Sequence, residues 1–471
     1  MLSLFAAGII ALMNATPASS LKFTSSDTRL RQAFEWAKKQ ALAYVNEGDP
    51  VGPWFEAALP GRHAFCMRDV SHQATGAQAL GLEEHTYNML HKFAKNIAAS
   101  RDWCSFWEID RLDRPAPVDY KNDQEFWYNL PANFDVMDTC YRMYKWTGDR
   151  RYIDNRDMLN FYRRTVTDYV KTWDIAPETV MQRTKVIKGA PYFRGDPSYD
   201  ESIDDLVLGV DLLACQVAGY KSYAEICALH GYRSEAERYR QEAAKVEAII
   251  EHKWWLPESQ TFLGAMNRKH ELSSSARWSV TYWNAISDPN KLRKAVDHLA
   301  AIPLDQDANQ VEDKSYYPEI LYRFGYSDKA YAQILDLTRP GRYRQEYPEV
   351  SYAMIGAFAT GVMGVSALPG PKTVIQTLSG LTSNTRYAKL ENLPIQGGQF
   401  TIRHDGLTKS TLTNQGQHAI AWRAAFPGHF NTCLVDGRSA QAHHTKGPLD
   451  RLLTSIDVIV SPGQTRTVNC H

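Results

Sequence analysis

From Arg29 to Val365 apolar residues recur at three- and four-residue spacing, whereas after Pro369–Pro371 they recur at every second position. An α-helix brings one face round every 3.6 residues and a strand every two, so the chain changes secondary-structure class at that proline pair. Arg29–Asn46, Asn133–Trp146, Ile203–Leu229 and Ser234–His252 read as helices. Met143–Tyr152 closes one helix at Gly148 and opens the next at Asp149, a helix–helix corner. Such pairs, recurring roughly every 50 residues, predict antiparallel hairpins that close into an (α/α)6 toroid. Beyond the prolines, Val374–Leu378, Thr385–Leu390, Gln399–His404, Lys409–Thr413, His418–Ala424, Thr432–Val435 and Ser455–Val460 read as short strands. Their regular spacing predicts a small β-sandwich. The expected organisation is a mostly α catalytic domain over 21–368 and a sandwich over 369–471.

Residues 1–20 read as a secretory signal: the apolar run Leu2–Met13 is followed by the small-residue stretch Asn14–Ser20. Export to the periplasm or the extracellular space follows. No later segment approaches the ~18 apolar residues of a membrane span. The 53 basic and 53 acidic residues cancel, which removes the basic footprint of a nucleic-acid binder. Cys66, Cys104, Cys140, Cys215, Cys227, Cys433 and Cys470 are an odd set without CxxC spacing, so neither a zinc site nor thiol chemistry is expected. No metal or cofactor motif appears, nor any GxSxG, Walker, HExxH or GxGxxG signature. The oligomeric state leaves no mark in the sequence.

The 12 Trp and 25 Tyr, many beside carboxylates, are the materials of a sugar-binding cleft. Four clusters concentrate them. His63–Gln78 places Arg68, Asp69 and His72 ahead of a helix expected near Ser71, where Arg68 and Asp69 can grip sugar hydroxyls. Trp103–Trp127 holds six acidic residues and three Trp, among them Trp107, Glu108, Asp119, Asp123 and Trp127. That density is costly to bury unless hydrogen-bonded, which points to ligand contacts from Glu108, Asp119 and Asp123. Asp196–Asp205 puts Tyr199, Asp200 and Glu201 before a helix whose first turn would carry Asp204 and Asp205. One of Asp200 and Glu201, in an aromatic setting, can hold a proton near neutrality and act as an acid. Arg344–Val365 sets Glu346 and Glu349 around Tyr347–Pro348 at the start of a helix, where a carboxylate facing Asp200 would complete a hydrolytic pair.

On these residues the chain resembles the six-hairpin toroid glycosidases, the group of trehalases, processing glucosidases and α-L-rhamnosidases. Arg68-Asp69 followed by Gly76-Ala77-Gln78 is similar to their Arg-Asp…Gly-x-Gln segment. Ser198-Tyr199-Asp200 followed by Val210-Asp211-Leu212-Leu213 looks like the trehalase Gly-Trp-Asp segment and its Val-Asp-Leu-Asn helix, with Ser-Tyr replacing Gly-Trp. Glu349, ahead of Gly361-Val362, matches the spacing of the trehalase base. The resemblance implies Asp200 as general acid and Glu349 as base, with Glu201 and Glu346 as alternates.

The expected activity is exo-acting, inverting hydrolysis of a terminal sugar, with a carbohydrate as the only partner. Two rivals stand beside it. A polysaccharide lyase would use His63 or His72 near Arg68 as its base, and a glycan-binding protein would carry no catalytic pair.

Overall fold

A computed structural model describes residues 19–188, 193–203, 205–306, 310–368 and 374–471. The run Leu2–Met13, Asp204 and the junction Pro369–Pro371 lie outside these residues. Six helices position the site: α1 (Thr28–Ala43), α2 (Met67–Ala79), α3 (Ala132–Thr147), α4 (Val210–Leu229), α5 (Arg233–Lys253) and α6 (Pro348–Ala357). They pack in a chain, α1 on α6, α6 on α2, α2 on α3, α3 on α4 and α4 on α5.

Burial sorts them into two kinds. Helix α5 buries Ala236, Tyr239, Ala243, Val246 and Ile250, one stripe at three- and four-residue spacing, so its other face meets water. Helices α2 and α6 are buried nearly all round, as expected of helices enclosed by others. Their approach is close: a Cβ on Gly76 would overlap the Tyr352 carbonyl, so the α2–α6 contact requires glycine there.

Two boundaries differ from the sequence reading. Helix α2 begins at Met67, not near Ser71, because Cys66 is extended and Asp69 is stabilised by the positive helix end. Arg68 and Asp69 therefore belong to its first turn. The Ile203–Leu229 segment is helical only from Val210; Leu206–Gly209 is a strand antiparallel to Ala265–Asn267, and Asp205 stands in a turn before it. Short apolar runs such as Leu206-Val207-Leu208 suit either state, and a strand partner decided it.

The β-rich region forms two sheets. The first runs 22–25, 387–395, 398–405, 409–414, 465–470, 433–435 and 438–440 in spatial order; the second runs 366–368, 374–378, 420–427, 452–460 and 443–446. The edge strand Lys22–Ser25 comes from ahead of the helices and pairs with Ala388–Glu391. Phe23 packs its ring on Phe34 of α1 at 5.3 Å and on Phe358 at 4.8 Å, tying sheet to helices. Trp146 at the end of α3 donates its indole N–H to the Pro394 carbonyl at 2.9 Å.

The cysteines give a correction. Cys433 and Cys470 face each other across adjacent strands and form a disulfide 37 residues apart in sequence. The pairing depends on strand register, which spacing alone does not fix. Replacing Cys433 with Ser should cost about 2–4 kcal/mol of unfolding free energy. Urea denaturation of the oxidised protein and the variant measures this, and coincident midpoints would show that the bridge adds nothing.

Candidate active site

Four packed helices each carry a carboxylate in the first turn: Asp69 on α2, Asp135 on α3, Asp211 on α4 and Glu349 on α6. The positive ends of the helix dipoles favour these positions for acidic groups. Beside these starts lies a cavity of about 370 Å³, bounded by Arg68, Tyr199, Asp200, Glu201, Tyr316 and Glu349 among others.

Glu349 is only 4% exposed. Burial first, then the neighbouring charge of Asp69 and a shared hydrogen bond with it, push the Glu349 carboxyl well above its ordinary range, against the pull of Arg68. The Arg68 Nε donates to Asp69 Oδ1 at 3.1 Å, and its guanidinium lies 5.8 Å from the Tyr199 ring centroid.

The loop Ser198–Ile203 also lines the cavity and is held by buried polar side chains. Asp211 accepts the Tyr199 backbone N–H at 2.6 Å and the Ser198 hydroxyl at 3.0 Å, while Asn129 Nδ2 donates to the Ser198 carbonyl at 2.6 Å. Asp135 accepts from the Tyr199 hydroxyl at 3.1 Å and from the Trp283 indole at 3.2 Å. Burial raises Asp211 to about 6 and Asp135 to about 7. Asp200 is exposed, and its carboxylate accepts the Ser202 N–H at 3.1 Å and the Ser202 hydroxyl at 2.5 Å. Glu201 is exposed and lines the same cavity. Burial raises that group, opposed by the Arg68 charge and a hydrogen bond with Asn129.

One wall is a stack of three rings: Tyr316 lies between His72 at 3.5 Å and Trp278 at 3.8 Å, nearly parallel to both. Burial, then the charges of Arg142 and Arg68, lower His72 well below its ordinary value, so the imidazole is neutral. At the mouth, Arg277 pairs with Asp313 at 2.6 Å and Arg344 pairs with Glu312.

The structure thus gathers Arg68, Tyr199, Asp200, Glu201 and Glu349 around one cavity, with Asp69 and His72 behind its wall. Other candidates stand elsewhere. Trp107 packs behind Tyr199, 6.3 Å between ring centroids. Glu108 and Asp119 share Arg62, at 2.7 and 3.3 Å. Bonds from Ser100, Tyr120 and Arg101 outweigh burial and hold Asp123 at about 2. Trp127 donates its indole N–H to Asn129 at 2.8 Å, and Glu346 is exposed. Each acid of Trp103–Trp127 has a cationic partner: Arg62 for Glu108 and Asp119, Arg114 for Asp110, Lys92 for Asp113, Arg101 for Asp123 and Lys121 for Glu125. Trp278, Tyr316, Glu312 and Asp313 line the cavity but went unread. Val311–Tyr317 (VEDKSYY) carries the same acidic–aromatic signature as the four clusters and marks Glu312, Asp313 and Tyr316, though not Trp278. Among the described residues no group of three or more His, Cys, Asp or Glu is placed to hold a metal ion.

Glu108 yields a pH test. Burial first, then Asp119, raise it from 4.5 to about 8. A carboxyl whose pKa rises on folding contributes stability that is complete below its unfolded value and is lost as pH climbs through the folded one. Between pH 4.5 and about 8 the wild type should therefore lose stability. Glu108→Gln, whose amide can donate to Asp119 and accept from Arg62, should flatten that slope. Parallel slopes of melting temperature against pH would overturn the assignment.

No family model matches the sequence, and no curated protein matches it. Solved structures do. An α-L-rhamnosidase from Dictyoglumus thermophilum superposes at a TM-score of 0.62 with 12% identity, covering 96% of this chain and 50% of its own. The α-L-rhamnosidase of Streptomyces avermitilis, complexed with L-rhamnose, gives 0.58 and 11%, covering 95% and 42%. A metal-independent α-mannosidase of Streptococcus pneumoniae gives 0.50 and 10%, covering 70% of this chain and 92% of its own. The chain spans half or less of the two rhamnosidases it matches. No helix among the described residues is long and apolar enough to cross a membrane. At these identities the likeness is one of architecture: the chain has the fold of this group of glycosidases.

Proposed function

We propose that the chain is an exo-acting glycoside hydrolase built on a six-hairpin (α/α)6 toroid, cleaving a terminal sugar with inversion. The observation that carries this reading is a single cavity lined by both Glu349 and Glu201, with the Arg68 charge acting on each. Glu201 is the general acid: burial raises its carboxyl, which favours the protonated form that gives its proton to the departing glycosidic oxygen. Glu349 is the base that takes a proton from water on the opposite face of the ring. The positive charge of Arg68 lowers the Glu349 carboxyl, against burial and Asp69, and so favours the ionised form that the base requires. Asp200, of the same loop, spends its carboxylate on Ser202, whereas burial raises the Glu201 carboxyl beside Arg68, so the acid role falls to Glu201.

The stack of Tyr316 on Trp278 offers an aromatic flank for the apolar face of a sugar, and Arg68 a donor for its hydroxyls. The lyase alternative lacks support, since His63 pairs with Glu56 and His72 is stacked behind Tyr316. Export is part of the proposal, supported by the apolar run Leu2–Met13 and the Cys433–Cys470 bridge, a feature of oxidising compartments.

A panel of aryl glycosides and oligosaccharides tests the reading, with α-L-rhamnosides first and α-mannosides next because structural neighbours act on them. NMR of the first-formed product should show the opposite anomer. The same anomer would refute inversion, an unsaturated product would indicate a lyase, and binding without any product would leave only a glycan-binding protein.

A further inference from the structure

Asn129 ends the short strand Tyr128–Asn129, which runs parallel to Phe193–Asp196 with Asn129 opposite Asp196, two residues ahead of the loop that carries Glu201. Its side chain is fully buried. A buried primary amide must find partners for two N–H donors and one carbonyl acceptor. The acceptor is taken by the Trp127 indole N–H at 2.8 Å. An indole nitrogen can only donate, so this bond settles which end of the amide carries the oxygen. The NH2 group is left for the loop. It donates to the Ser198 carbonyl at 2.6 Å, and it also bonds the Glu201 carboxyl.

Asn129 therefore holds the loop at two points three residues apart, one on the backbone and one on the carboxyl itself. The other anchors stop short of Glu201: Asp211 takes the Ser198 hydroxyl and the Tyr199 N–H, and the Asp200 carboxylate goes to Ser202. The remaining groups that act on Glu201 do so as charges. Arg68 favours its ionised form, while Asp119 and Asp69 favour the protonated one. Trp127 does not line the cavity; its ring meets the Phe193 ring edge-on at 6.0 Å, which leaves the indole N–H aimed at Asn129.

We propose that Asn129, oriented by Trp127, is the positioning residue of Glu201, fixing where that carboxyl stands in the cavity. The inference rests on the reading of Glu201 as the general acid. A donor to a carboxylate bonds the ionised form more strongly than the protonated one. When the Glu201 proton passes to the departing oxygen, the Asn129 N–H stabilises the carboxylate that remains.

Two variants test this. Asn129→Ala removes the donor, and Trp127→Phe removes only the N–H that orients it. In Asn129→Ala kcat should fall roughly tenfold, the worth of one hydrogen bond to a charged group, with KM little changed. The loss should be greater on a sugar–sugar bond than on a dinitrophenyl glycoside, because it acts through the proton of Glu201. Trp127→Phe should show the same contrast in smaller measure, and it decides the matter if Asn129→Ala folds poorly. Carbon-13 NMR of labelled glutamate carboxyls gives a readout that needs no turnover. The Glu201 signal, assigned by its absence in Glu201→Gln, should titrate at higher pH in both variants, since a donor favouring the ionised form is lost or misdirected. A merely structural role would leave that midpoint in place and slow both substrates alike. A moved midpoint without any hydrolysis would keep the Asn129–Glu201 contact and refute the acid reading beneath it, so the two failures are distinguishable. The proposal falls if neither variant moves the midpoint, or if the loss of kcat is the same on both substrates.

Discussion

Glu349→Gln should lower kcat by roughly a thousandfold, the range expected when a general base is removed, while KM changes little. The substitution keeps the volume of a side chain only 4% exposed and leaves a group able to bond Asp69. It also removes a buried carboxyl that burial and Asp69 hold well above the ordinary range. The folded state therefore loses nothing it needs and should melt no lower than wild type in neutral buffer. Loss of turnover with unimpaired folding is the signature of chemistry rather than packing. A companion measurement isolates the electrostatics. Because the Asp69 charge helps raise Glu349, Asp69→Asn should move the acidic limb of the kcat/KM profile to lower pH. Near-normal kcat in Glu349→Gln, or an acidic limb unmoved in Asp69→Asn, would remove Glu349 from the role of base.

Sequence pattern carried the helices because each buries a stripe whose spacing is local. Helices α4 and α5 are legible from Val210 and Arg233 onward, since every residue that defines their faces lies within a turn of the next. Features that depend on distant partners were not. Strand Lys22–Ser25 is four residues long, and its identity as a sheet edge comes from Ala388–Glu391 at the other end of the chain. The Cys433–Cys470 bridge needs the register of two strands before the thiols are known to meet.

The site divides along the same line. Glu349 was approachable because a carboxylate in a first helical turn leaves a local sequence signature, whereas the starts of α2 and α4, and with them the first-turn places of Asp69 and Asp211, emerge only in the fold. Glu108 and Asp123 stand outside this cavity, and their partners, Arg62 and Arg101, reach them only in three dimensions. A carboxylate cluster is a candidate ligand site only once the arginines have been placed.

The acid assignment is decided by leaving-group dependence. If Glu201 protonates the departing oxygen, Glu201→Gln should cost about a hundredfold or more on a sugar–sugar bond, whose alkoxide leaves poorly. It should cost far less on a dinitrophenyl glycoside of the same sugar, whose leaving group needs no proton. Asp200→Asn should show no such contrast. Its carboxylate serves the turn with Ser202, and the amide oxygen can still accept the Ser202 N–H. Whatever rate it loses should be lost equally on both substrates, as a displaced loop would cause. The two residues are adjacent in sequence, so folding defects and loop disorder would affect them alike; only the proton distinguishes them. A strong leaving-group contrast in Asp200→Asn and none in Glu201→Gln would return the acid to Asp200, with Arg68, Asp69 and Glu349 keeping their places around the cavity.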